Sequence, residues 1–155
     1  MTDNCFCESI QRTKKFFDNA TKIFDEKDAA FAPKPGLFST AQHIAHAAQA
    51  IDWFVDGAFS PDGMSHDFEN MEKQVRAIQT LKESRDWMDR AVARAISVLE
   101  KKSMEEMMQP IAGQIMAGAP RIAMCEAIAD HTAHHRGALA VYARLLDKVP
   151  PMPYE

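Results

Sequence analysis

Apolar residues recur along this chain at alternating steps of four and three positions, which is the spacing of one face of an α-helix. The two-residue alternation of a half-buried strand is almost absent. The first apolar stripe, Phe6 to Phe24, predicts a helix from about Thr2 or Asp3 to about Asp28. Two prolines and a glycine follow it and cannot continue the helix.

Three capping boxes, in which a serine or threonine precedes a glutamine or glutamate by three residues, mark further helix starts. They begin at Ser39, Thr80 and Ser103. Pro120 suits the first turn of a last long helix, because the N–H that proline lacks would be unpaired there. The apolar pattern does not decide whether residues 66–101 form one helix or two. The predicted helices after the first run from 40 to about 59, from about 66 to 79, from 81 to about 101, over a short stretch near 104–108, and from 120 to about 147.

These elements predict an all-α fold, a four-helix bundle of the up-and-down type with one or two extra short helices. The chain has 155 residues, enough for one core, so we predict a single domain over residues 1–155. Bundles of this size can bury an outer apolar face by pairing across a twofold axis. We therefore expect a homodimer, with Phe54, Phe59 and Trp87 as candidate contacts.

Composition and charge argue against several kinds of partner and location. The net charge is −4 with no basic patch to offset it, so we expect no nucleic-acid partner. No apolar run approaches the roughly 20 residues of a membrane-spanning helix, so we expect no membrane partner. The first residues lack the basic-then-apolar layout of a secretion signal, and the three cysteines lack disulfide-dense spacing. We therefore predict a cytoplasmic protein.

The last predicted helix holds three of the six histidines. His131 and His135 are four residues apart, so their imidazoles lie on one helix face and could meet one metal ion. His134 lies about 100° around the helix from His135 and does not easily join that site. The second predicted helix carries His43 and His46, and a histidine from there could complete a three-imidazole site with open metal positions. Such a site suits Zn²⁺, Ni²⁺, Fe²⁺ or Mn²⁺.

The order of these motifs resembles the DinB/YfiT-like family of small bacterial metal-binding bundles. The resemblance rests on H-x-x-H-H-R-G in the last helix, a histidine in the second helix and a P-P-x-P tail, and it covers nearly the whole chain. In that family an aromatic residue and a polar helix cap precede the second-helix ligand, which comes eight positions after the aromatic. Phe38, Ser39 and His46 match this pattern. The resemblance therefore implies His46, His131 and His135 as metal ligands.

The resemblance also implies chemistry, because characterised relatives include thiol-dependent S-transferases and isomerases. We predict a divalent-metal-dependent enzyme that transfers a low-molecular-weight thiol to an electrophilic small-molecule substrate, with the metal holding the thiol as thiolate. The alternatives are a metal-binding stress or regulatory protein without turnover, a metal-dependent hydrolase, and a purely structural bundle.

Three further residues near the histidines carry expectations of their own. His43 is a candidate base or ligand partner beside the site, and it could also substitute for His46. Arg136 could bind an anionic group of the substrate or the thiol. Gly137 weakens a helix interior by about 1 kcal/mol, and we expect close approach of another helix to compensate for it.

Overall fold

A computed structural model describes residues 5–155 and shows helices without strands in that range. Four long helices build the bundle and shorter ones connect them, so the predicted all-α fold is confirmed. None of the helices within the described range is long and apolar enough to cross a membrane. The helices are Cys5–Thr21 (α1), Thr40–Phe59 (α2), Phe68–Ala77 (α3), Leu81–Leu99 (α4), Met104–Met107 (α5) and Ala123–Leu145 (α6), with a 3-10 turn at Glu26–Asp28.

The packing of the four long helices decides which residues can meet. α2 packs against both α4 and α6, and α1 packs against the same two helices, so α1 and α2 lie at opposite corners of the bundle. Burial of the apolar stripes between these helices drives the packing. Because α2 and α6 are neighbours, side chains from the second and the last helix can share one site. The largest fully buried side chains are Ile10, Phe17, Ile44, Ile51, Val55, Met64, Val75, Met88, Met107, Met124, Ile128 and Leu139.

The three predicted capping boxes all form. Ser39 accepts a hydrogen bond from the backbone N–H of Gln42 at 3.3 Å, and the Gln42 side chain accepts one from the backbone N–H of Ser39 at 3.0 Å. The boxes that begin at Thr80 and Ser103 close in the same way. Extended backbone at Ile78 and Thr80 separates α3 from α4, so residues 66–101 form two helices.

The first helix is shorter than its apolar pattern predicts. α1 ends at Thr21, so the predicted continuation to about Asp28 is wrong. The predicted start at Thr2 or Asp3 lies outside the described residues. Phe24 lies in the segment after the helix and is still buried in the core. Its apolar side chain therefore extends the pattern in the sequence beyond the end of the helix itself.

Lys148, near the other end of the chain, binds the segment that follows α1. Its Nζ donates to the carbonyl oxygen of Ile23 at 3.0 Å and contacts the carboxylate of Asp25 at 3.1 Å. It also forms an ion pair with Asp28, which is buried. The Asp28 carboxylate in turn accepts the backbone N–H of Asp25 at 2.8 Å and closes the 3-10 turn. A buried carboxylate needs such partners, so the pair favours the turn over a longer helix.

The last helix begins at Ala123, after a turn at 120–122, and ends at Leu145, close to its predicted bounds. Gly137 is exposed on this helix. A Cβ built at this glycine would meet no atom of another described element within 4 Å, so the expected close approach of another helix is wrong.

The candidate dimer contacts differ in their exposure. Phe54 is buried inside the bundle, with its ring 6.2 Å from that of His131, so its proposed role in an outer face is wrong. Phe59 and Trp87 are partly exposed. The homodimer itself stays a prediction.

Candidate metal centre

Three histidine rings converge between α2 and α6. His46 lies on α2, and His131 and His135 lie one turn apart on α6. One ring nitrogen from each residue lies within 4.8 Å of the other two. The Nε2 atoms of His131 and His135 are 3.1 Å apart. The ring of His46 lies 5.2 Å from that of His131 and 4.9 Å from that of His135, between centroids. The fold therefore brings together the three residues that the resemblance implied.

These separations fit a divalent transition ion. Metal–nitrogen bonds of about 2.0–2.1 Å in a tetrahedral arrangement place two ligand nitrogens roughly 3.3 Å apart. The pair on α6 is already at that spacing, and His46 has to approach it by no more than about 1.5 Å. Nδ1 of His46 is buried without a hydrogen-bond partner among the described residues, so this nitrogen is available to a metal ion or to another polar group. Three imidazoles also leave at least one position of such an ion open.

Burial keeps these rings neutral. Burial, together with repulsion from the neighbouring histidines when they are protonated, lowers the pKa of His131 to about 4 and that of His135 to about 2. Burial also lowers the pKa of His46, although the side chain of Gln49, one turn further along α2, opposes this effect. Protons and metal ions compete for imidazole nitrogens. Rings that stay neutral at pH 7 are therefore ready to bind a metal ion.

His43 contacts the three-histidine cluster through one ring nitrogen and Tyr142 through the other. Its Nδ1 lies 2.9 Å from Nδ1 of His135, and its Nε2 lies 3.1 Å from the hydroxyl of Tyr142. That hydroxyl donates to the carbonyl oxygen of Phe38 at 2.8 Å. Burial lowers the pKa of His43 to about 4, so this ring is neutral at pH 7 as well.

Tyr142 is the residue of this region that the sequence analysis missed. It is buried, and its hydroxyl reaches the cluster through His43. A signal was available, because Tyr142 lies seven residues after His135 and therefore on the same face of the last helix, two turns further on. A tyrosine on a buried face usually finds a hydrogen-bond partner.

The aromatic residue before α2 covers the histidines of that helix. The ring of Phe38 lies 5.3 Å from that of His46 and 5.8 Å from that of His43. The guanidinium of Arg76, on α3, lies 4.9 Å from the centroid of the Phe38 ring. Phe38 therefore helps to fix both rings and connects the site to α3.

Two other residues of the α6 motif point elsewhere. Arg136 donates to the hydroxyl of Tyr154 at 3.3 Å, and its guanidinium lies 5.4 Å from the centroid of that ring. Within residues 5–155 it makes no hydrogen bond to the three histidines, and its role as an anion-binding residue stays a prediction. His134 is exposed, with its ring 5.0 Å from that of His135.

The fold and this site define a class of protein: a helical bundle with a three-histidine cluster between two facing helices. The family model of the DinB superfamily matches residues 8–139, and the chain belongs to that superfamily. The predicted family is therefore confirmed. No curated protein matches the sequence.

One solved structure with a similar fold is a mycothiol-dependent maleylpyruvate isomerase. Its TM-score with this chain is 0.65, and the two sequences are 13% identical. The alignment covers 85% of this chain and 59% of the other, so this chain spans less than two thirds of that enzyme's length. At this identity the likeness shows a shared fold.

Proposed function

We propose that this protein is a divalent-metal-dependent enzyme that transfers a low-molecular-weight thiol to an electrophilic small molecule. The observation that carries the proposal is the convergence of His46, His131 and His135. One ring nitrogen of each lies within 4.8 Å of a ring nitrogen of the other two. Membership of the DinB superfamily supports it. The similar fold of a mycothiol-dependent isomerase supports the choice of a thiol as the second component.

In the proposed reaction His46, His131 and His135 would hold the metal ion, and the thiol would bind beside them. A bound divalent ion lowers the pKa of a thiol that reaches it and so favours the nucleophilic thiolate. The thiol sulfur forms a bond to an electrophilic carbon of the substrate. A leaving group on that carbon departs with the electron pair of its bond and takes up the proton that the thiol lost, so the proposed step is a substitution. Neutral imidazoles supply nitrogen lone pairs for the ion, and burial by the packing of α2 against α6 keeps them neutral.

Zn²⁺, Ni²⁺, Fe²⁺ and Mn²⁺ are the ions that we propose for the site. Imidazole ligands suit all four, and the number of histidines does not choose among them. We also propose that the protein acts as a homodimer in the reducing cytosol, where low-molecular-weight thiols are abundant.

A conjugation assay tests the proposal. The metal-free protein is loaded with each of the four ions and mixed with mycothiol, glutathione or cysteine and a broad panel of electrophiles, and mass spectrometry detects the thioether product. We expect metal-dependent conjugation by the wild type and its loss, by at least about 100-fold, in the His131→Ala, His135→Ala double variant. His134→Ala is the matched control, because this exposed histidine lies on the same helix. It should keep the activity.

Three results would contradict the proposal. Metal-loaded protein that conjugates none of the thiols would favour a metal-binding protein without turnover. Incorporation of oxygen from labelled water into the product would favour a hydrolase. Equal conjugation by the wild type and the double variant would show that the three-histidine cluster is not the site.

A further inference from the structure

A chain of hydrogen bonds leads from the start of α2 to one ring of the cluster. The carbonyl oxygen of Phe38 can only accept, so the hydroxyl of Tyr142, 2.8 Å away, donates its single hydrogen to it. The hydroxyl oxygen is then left as an acceptor for Nε2 of His43 at 3.1 Å. His43 must therefore carry its hydrogen on Nε2.

The chain of hydrogen bonds continues to His135. A neutral imidazole carries one hydrogen, so Nδ1 of His43 is an acceptor. Nδ1 of His135, 2.9 Å away, is then the donor. With its hydrogen on Nδ1, His135 keeps a lone pair on Nε2, and this atom lies 3.1 Å from Nε2 of His131. The direction of one tyrosine hydroxyl thus decides which nitrogen of His135 is available.

We propose that Tyr142 and His43 are positioning residues that hold His135 as the Nδ1–H tautomer and direct its Nε2 lone pair into the three-histidine cluster. The tautomer itself depends on the described hydrogen bonds alone, whereas its use for metal binding rests on the proposed function. Ligating histidines usually donate their other N–H to an acceptor, which fixes the orientation of the ring. Here that acceptor is a second imidazole, and both of its nitrogens are engaged.

Nitrogen-15 NMR of the metal-free protein at pH 7 tests the tautomers without any metal. We expect the hydrogen of His43 on Nε2 and that of His135 on Nδ1, and His135 with its hydrogen on Nε2 would overturn the proposal. Tyr142→Phe should turn the single tautomer of His43 into a mixture. Tyr154→Phe removes the hydroxyl of the other tyrosine, on the C-terminal tail, and should leave the wild-type pattern unchanged. A Tyr142→Phe protein with unchanged tautomers would overturn the role of Tyr142.

Zn²⁺ titration of the same variants tests the consequence for binding. His43→Leu should raise the Zn²⁺ dissociation constant by about 10- to 100-fold. His43→Gln should recover most of that loss, because an amide can donate to Tyr142 and accept from His135. The double variant His43→Leu, Tyr142→Phe should bind no more weakly than His43→Leu alone, since both residues act through one chain of bonds.

Two outcomes separate this inference from the proposed function. Equal weakening by His43→Leu and His43→Gln would show that His43 only fills space, and would overturn the positioning role. Wild-type protein that shows the expected tautomers and binds none of the four ions would contradict the proposed function, yet it would support the hydrogen-bond chain.

Discussion

At the scale of single residues, Gly137 is a position where the chain gives up helix stability without a visible packing reason. It lies inside α6 and is exposed, and a Cβ built there would meet no atom of another element among residues 5–155 within 4 Å. We expect Gly137→Ala to raise the free energy of unfolding by about 0.5–1 kcal/mol, because alanine restricts the unfolded chain and favours helix. Urea unfolding monitored by circular dichroism measures this change.

Gly63 provides the contrast for that measurement. Its φ is +76°, and a Cβ there would lie 2.3 Å from the carbonyl oxygen of Ala112. Gly63→Ala should therefore destabilise the protein. A loss of stability in Gly137→Ala would contradict the account of α6.

The residues of the cluster show what a sequence reveals about a site. The four-residue spacing of His131 and His135 fixes their common face from the sequence alone. The choice of His46 as the third member came from the resemblance, because His43 lies one turn earlier on the same helix. The contact between His43 and His135 depends on how α2 rotates against α6, and packing, which the sequence pattern does not specify, sets that rotation.

At the scale of elements, Lys148 joins the end of α6 to the end of α1. Replacement by methionine leaves the buried carboxylate of Asp28 without its cation. We expect Lys148→Met to lower the free energy of unfolding by about 1–3 kcal/mol, because the buried carboxylate loses its charged donor and keeps, within residues 5–155, only the backbone N–H of Asp25. Urea unfolding again provides the measurement.

Lys27→Met is the matched control, because Lys27 is 74% exposed and forms its ion pair with exposed Asp25 at 3.4 Å. It should change stability by less than about 0.5 kcal/mol. Equal effects of the two replacements would contradict the structural role of Lys148.

Helix boundaries that depend on neighbouring residues can be predicted from the sequence, and those that depend on distant residues cannot. The capping boxes at Ser39, Thr80 and Ser103 were predictable because every atom that forms them lies within four consecutive residues. The end of α1 was not, because the contact of Asp28 with Lys148 spans 120 residues of sequence. The apolar pattern alone does not decide whether α3 and α4 are one helix or two. The extended backbone before α4 shows that they are two.

At the scale of the whole molecule, one buried and three half-buried histidines make the metal-free protein sensitive to acid. An unfolded histidine titrates near pH 6.5. The folded pKa of His43, His131 and His135 lies well below that value, and that of His46 is also lowered. Between about pH 6.5 and 4 the unfolded chain therefore binds more protons than the folded one. Stability is highest above that window and falls as the pH falls through it.

Urea unfolding of chelator-treated protein at pH 7.0 and pH 5.5 measures this loss. For one fully buried histidine it amounts to at most about 1.4 kcal/mol per pH unit. His135→Gln should reduce the difference between the two pH values. His66→Gln, at an exposed position, should not. The same difference in all three proteins would contradict the burial of a neutral His135.

The most direct test of a three-histidine metal centre is the metal content of the purified protein. Elemental analysis compares the wild type with the His131→Ala, His135→Ala double variant and with His134→Ala. We expect about one transition ion per chain in the wild type and in His134→Ala. The double variant should have lost the ion while remaining folded, because apolar faces build the core. Equal occupancy in all three proteins, or none in the wild type after growth with the four ions, would contradict the account.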